Sequence, residues 1–97
     1  MTPNPHPADT LRANPLLTDL PPDDAQALAR YFEVLEVEGG EAIVREGEPG
    51  VEMFFVLAGR ARVFHAGLEV QVLEPGDHFG ELALLAARPR AASVIAD

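Results

Sequence analysis

A glycine and a carboxylate, followed nine residues later by an arginine, are the side chains of this sequence best suited to chemistry. Gly80-Glu81-Leu82-Ala83 opens a short apolar stretch, and Arg90-Ala91-Ala92 lies just beyond it. The Leu- and Ala-rich run Gly80 to Ala87, stopped before Pro89, reads as a short helix. The first amides of a helix have no internal acceptor and sit at its positive end, so they can donate to phosphate oxygens. Gly80 lets the backbone approach such a group closely. Arg90 adds a permanently charged planar fork able to reach two oxygens at once. Glu81 would repel a phosphate unless it has another task, such as accepting a hydrogen bond from a sugar hydroxyl. A nucleotide supplies both groups.

A second segment, Ile43 to Gly59, carries Gly47, Gly50 and Gly59 around the apolar run Met53-Phe54-Phe55-Val56-Leu57. Glycine permits positive φ in tight turns, so the segment reads as strand, turn, strand with the apolar run entering the core.

Together the two segments resemble the cyclic-nucleotide-binding domain family, which includes bacterial catabolite activators and the regulatory subunits of cAMP-dependent protein kinase. The first follows the family's turn-and-strand signature. The second follows its phosphate-binding cassette, with Gly-Glu, a small residue, then Arg, two small residues and Ser. The wording Phe79-Gly80-Glu81-Leu82-Ala83-Leu84 and Pro89-Arg90-Ala91-Ala92 looks most like the kinase regulatory subunits, and the resemblance covers about residues 14 to 96.

It implies a mainly β antiparallel jelly roll with short N-terminal helices, and a sensor that binds cAMP without transforming it. The implied ligand-binding set is Gly80, Glu81, Leu82, Ala83, Arg90, Ala91 and Ala92. Within it Glu81 accepts the ribose 2′-hydroxyl, Arg90 pairs with the cyclic phosphate, and the amides of Gly80, Ala83 and Ala91 complete the shell. A Thr or Ser directly after the arginine often assists cGMP in the family, whereas Ala91 stands here, which favours cAMP. Family members continue into a hinge helix and a lid helix, while this sequence ends at Asp97. The expectation is a domain over 11–97 lacking its C-terminal part, its output domain unread.

Each of these residues also has a plainer role. Arg90 as a surface residue would pair with Glu81 or Asp77, and Glu81 alone would be a helix N-terminal carboxylate worth about 0.3 to 1 kcal/mol. A degenerate, ligand-free roll serving as a structural or interaction module is the alternative function. Arg88 reads as solvated, and Gly47, Gly50, Gly59 and Gly76 as turn glycines without ligand contact. The acidic series Glu33, Glu36, Glu38, Glu41, Glu46, Glu48 and Glu52 reads as the wet face of strands and turns. His65 and His78 raise a metal-dependent cupin, but that enzyme class needs closely spaced histidines, and the sequence has three histidines with no His-x-His. No metal site and no Ser/His/Asp hydrolase arrangement is expected.

The elements that position these residues follow from spacing. Pro3, Pro5 and Pro7 predict an unpacked tail over residues 1–10. Pro21-Pro22-Asp23-Asp24, with Ala25, Leu28, Ala29 and Phe32, predicts a helix over Pro22 to Tyr31. Short β-type runs follow at Glu41 to Arg45, Met53 to Ala58, Arg60 to His65, Leu68 to Leu73 and Ala91 to Ala96. The last of these, lacking its family neighbours, is expected to be an unpaired edge that drives homodimerisation or swapping.

The 97 residues leave room for one domain. With no cysteine there is no disulfide, thiolate zinc site or cysteine nucleophile. A net charge of −9 disfavours direct nucleic-acid binding. No apolar run approaches the length of a membrane span, and the start has no secretory region, so a cytoplasmic protein is expected.

Overall fold

A computed structural model describes residues 6–81 and 89–97 of the chain. Two short helices lead into a β roll. Helix α1 spans Pro7–Arg12 and α2 spans Pro22–Ala29; among the described residues six antiparallel strands follow. They are β1 (Ala42–Val44), β2 (Phe54–Phe55), β3 (Ala61–His65), β4 (Leu68–Leu73), β5 (His78–Phe79) and β6 (Ser93–Ala96).

Helix α1 overturns the extended tail over residues 7–10; residues 1–5 lie outside the described residues. Proline at the first helical position sacrifices no hydrogen bond, because that N–H has no helical acceptor. His6 then caps the helix, its Nδ1 accepting from the Ala8 N–H at 3.1 Å. Ala8, Thr10 and Leu11 are buried, which gives the helix its tertiary support. Helix α2 starts at the expected proline, with Asp23 and Asp24 in its first turn.

The strands form a four-stranded sheet in the order β1-β6-β3-β4 and a two-stranded sheet of β2 and β5. This is the jelly-roll sandwich that the sequence implies. Val56, Ala61, Leu73 and Val94 are the buried core, with Ile43, Val44, Val63 and Phe79 packed against them. The β2–β5 pairing is prolonged by the Val56 N–H donating to the Asp77 carbonyl at 2.9 Å and the Gly76 N–H donating to the Val56 carbonyl at 2.8 Å.

Two further expectations are corrected. Strand β6 is interior, since Val94 faces Val44 of β1 on one side and Val63 of β3 on the other. Its backbone is therefore no template for a second copy; the sheet's edges are β1 and β4. The run Met53 to Leu57 is also not uniformly core. Only Val56 is buried, while Met53, Phe54, Phe55 and Leu57 are half-buried along an open cleft of about 670 Å³ between the Phe32–Glu38 segment and the sheets.

Candidate functional site

Arg90 is held by its backbone before its side chain does anything. Its N–H donates to the Glu48 carbonyl at 2.9 Å, and its carbonyl accepts from the Gly47 N–H at 2.8 Å. Nearby, the Glu46 N–H donates to Ser93 Oγ at 2.9 Å. The turn after β1 and the chain entering β6 thus form one hydrogen-bonded unit that fixes where the arginine emerges.

Its side chain is 6% exposed. The guanidinium carbon lies 5.9 Å from the centroid of Phe54, within cation–π range. Phe54 in turn stacks on Phe79, its partner across β2 and β5, with centroids 4.9 Å apart. Two glycines wall the other sides. A Cβ on Gly50 would stand 2.7 Å from Arg90 Nη2, and one on Gly80 would stand 2.9 Å from Nη1 and 2.7 Å from the Glu52 carbonyl oxygen. Gly80 also has φ +91°, a left-handed backbone that glycine adopts without penalty.

The polar neighbours do not saturate this cation. Nη2 donates to Glu52 Oε2 at 3.3 Å, a long contact to a carboxylate whose side chain is 70% exposed. Nη1 is buried and has no hydrogen-bond partner among the described residues. An unsatisfied buried N–H typically costs about 1 to 3 kcal/mol, more when it is charged. A group with two acceptor oxygens and a negative charge is what this fork lacks.

Glu81 is half-buried next to Gly80, with Oε2 3.9 Å from His78 Nε2. Ala91 is exposed, its carbonyl 2.9 Å from His65 Nδ1, and Ala92 is half-buried. Gly80, Glu81 and Arg90 are thereby brought to one end of the β2–β5 sheet. Leu82, Ala83 and most of the expected Gly80–Ala87 helix lie outside the described residues.

Three sequence expectations change here. Arg90 pairs with Glu52 rather than with Glu81 or Asp77, whose Oδ2 accepts from the Glu74 N–H at 2.8 Å. Glu52 therefore belongs to the site rather than only to a wet acidic face. Gly50 packs on the guanidinium and is more than a turn residue. The spacing Gly50-x-Glu52-x-Phe54 places three contacts of Arg90 on alternate residues, the pattern of one face of an extended segment. Among the described residues no group of three or more His, Asp or Glu side chains is placed to hold a metal ion.

The described residues thus place a buried arginine framed by glycines at one end of a jelly-roll β domain. The model of the cyclic nucleotide-binding domain matches residues 34–97, and the chain belongs to that family. The regulatory subunit of cAMP-dependent protein kinase from Emericella nidulans is 42% identical over 82 residues, which are 82% of this chain and 20% of that protein. This chain accordingly spans about a fifth of the length of such relatives. The regulatory domain of Toxoplasma gondii PKA, solved with cAMP, matches with a TM-score of 0.81 and 32% identity over 93% of this chain and 37% of that one. The regulatory subunit of a cAMP-independent protein kinase A from Trypanosoma brucei matches with a TM-score of 0.81 and 31% identity, covering 91% and 33%. No helix among the described residues is long and apolar enough to cross a membrane.

Proposed function

We propose that the chain is a cAMP-binding regulatory module that recognises the cyclic phosphate and the ribose and leaves the nucleotide unchanged. The observation that carries this is Arg90: a buried guanidinium walled by two glycines which, among the described residues, is met by one exposed carboxylate and has no partner for Nη1. A cyclic phosphate supplies the missing oxygens. Glu81, beside it, accepts the ribose 2′-hydroxyl, and the amides of Gly80, Ala83 and Ala91, with Leu82 and Ala92 alongside, complete the shell. The relatives named as regulatory subunits of cAMP-dependent kinase support a regulatory role, and Ala91 after the arginine supports cAMP over cGMP.

The Arg90–Glu52 contact favours a second reading, a roll that satisfies its own arginine and needs no nucleotide, and a neighbour described as cAMP-independent shares the fold. Calorimetric titration with cAMP, cGMP, 2′-deoxy-cAMP and AMP separates the two. The expected result is saturable cAMP binding, with 2′-deoxy-cAMP about tenfold weaker because an oriented carboxylate loses its donor. A flat titration with all four nucleotides assigns the chain to the ligand-free reading.

A further inference from the structure

Asn14, in the turn after α1, is 1% exposed and reaches across the molecule to the strand that precedes the cassette. Its Oδ1 accepts from the Leu16 N–H at 2.9 Å, and its Nδ2 donates to the Gly76 carbonyl at 2.9 Å. These two contacts fix which end of the amide is nitrogen, since an N–H cannot donate to an NH₂ and a carbonyl cannot accept from one. The second Nδ2 hydrogen points to His78 Nδ1, 2.7 Å away. Nδ1 must therefore be the acceptor, so the neutral imidazole carries its proton on Nε2. That nitrogen faces Glu81 Oε2 at 3.9 Å. The gap is about 1 Å longer than a hydrogen bond, so a bond requires the half-exposed Glu81 side chain to turn toward His78.

The geometry points to His78 as a positioning residue for nucleotide selection: Asn14 fixes its tautomer, and its Nε2–H holds one oxygen of Glu81 so that the other meets the ribose. This deepens the nucleotide-binding reading and rests on it. It also gives the N-terminal helical segment a direct polar line to the site. Phe55, whose ring centroid lies 5.9 Å from that of His78, braces the imidazole from the neighbouring strand.

The test combines one measurement on the unaltered protein with two variants. Long-range ¹H–¹⁵N correlation spectra of the unaltered chain should show His78 as the Nε2–H tautomer; an Nδ1–H tautomer overturns the inference without reference to any ligand. Affinities for cAMP and 2′-deoxy-cAMP are then compared in the unaltered chain, His78→Phe and His78→Gln. Phe keeps a ring beside Phe55 but has no donor. Its cAMP preference should contract from about tenfold to about threefold or less, with 2′-deoxy-cAMP affinity held within about twofold, because only the ribose contact loses its support. Gln, which places an amide N–H near the Nε2 position, should restore at least half of the lost preference. A fold defect would weaken both nucleotides alike. If the unaltered chain discriminates the two nucleotides and His78→Phe discriminates equally, the positioning role fails while nucleotide binding stands. If the unaltered chain binds neither, the functional reading itself fails and takes this inference with it.

Discussion

Arg90 and Arg62 place the same guanidinium in opposite surroundings. Arg62 sits on the sheet's surface and is saturated: it meets Glu69 at 2.8 Å and Asp97 at 3.1 Å. Its hydrogen bonds to Asp97 and then Glu69 hold it charged even more firmly than an ordinary arginine. Arg90 is buried and, among the described residues, has one long contact to an exposed carboxylate and no partner for Nη1. Exposed pairs of the first kind contribute little to stability, because water competes for both ions. A buried cation with too few acceptors is costly, and the cyclic phosphate of the proposed function would relieve that cost. The degree of saturation, more than the presence of an arginine, separates a structural ion pair from a binding group.

The comparison is broken most decisively by exchanging the two. Arg90→Ala should weaken cAMP binding at least about thirtyfold, the loss expected when a charged partner is removed from a desolvated contact. Arg62→Ala should leave the affinity within about twofold, since Arg62 contacts none of the site residues. Calorimetry on both variants checks this, and equal affinities would erase the distinction between the two arginines.

Gly80→Ala sharpens it. The added methyl meets the Glu52 carbonyl oxygen and Arg90 Nη1 and must take up a left-handed backbone, so a stability loss of about 1 to 3 kcal/mol in denaturant unfolding is expected. Binding should fall by about tenfold through displacement of the guanidinium. Gly67→Ala is the control: it has similar positive φ but open space around its Cβ, and it should weaken stability without touching affinity.

Glu52→Gln is a smaller perturbation of opposite sign. It removes the charge that competes for Arg90, so cAMP should bind about threefold tighter while the ligand-free protein loses a little stability. Unchanged or weaker binding would mean that Glu52 assists the nucleotide rather than standing in for it.

The smallest effect belongs to the saturated pair. The Arg62 hydrogen bond outweighs the opposing desolvation and, with weaker attraction to Arg62 and Arg60, holds the Asp97 carboxyl below its usual range. A depressed carboxyl stabilises the fold above the unfolded value, about pH 4, and loses that contribution as pH falls. The melting temperature of the unaltered chain should exceed that of Asp97→Asn slightly at neutral pH, and the difference should shrink as pH falls below about 4 and through the lowered carboxyl value.

Several of these features could be read from residue order alone. Leu68 to Leu73 alternates between Gly67 and the Glu74-Pro75 turn, and β4 occupies those six residues. Gly80, Glu81 and Arg90 stood out because their chemistry is local. What stayed hidden depends on distance along the chain. The Glu52–Arg90 contact joins residues 38 apart, and the Asn14–His78 contact joins residues 64 apart. Strand β5 has only two residues, too few to express a period, and exists because β2 pairs with it. Helix α1 was masked by prolines whose usual effect is to prevent helices, although the last of them lies where a helix tolerates one.

The hydrogen-bonded unit that carries Arg90 also has a meaning in time. Gly47 and Glu48 are bound to Arg90, and Glu46 to Ser93, so each of these three hydrogen bonds closes a loop of more than forty residues. Such closures are entropically expensive and come late in folding, after local hairpins such as β3–β4 have formed. A partly folded chain therefore has the cassette residues but no pocket, and recovery of nucleotide binding during refolding should lag behind recovery of β structure.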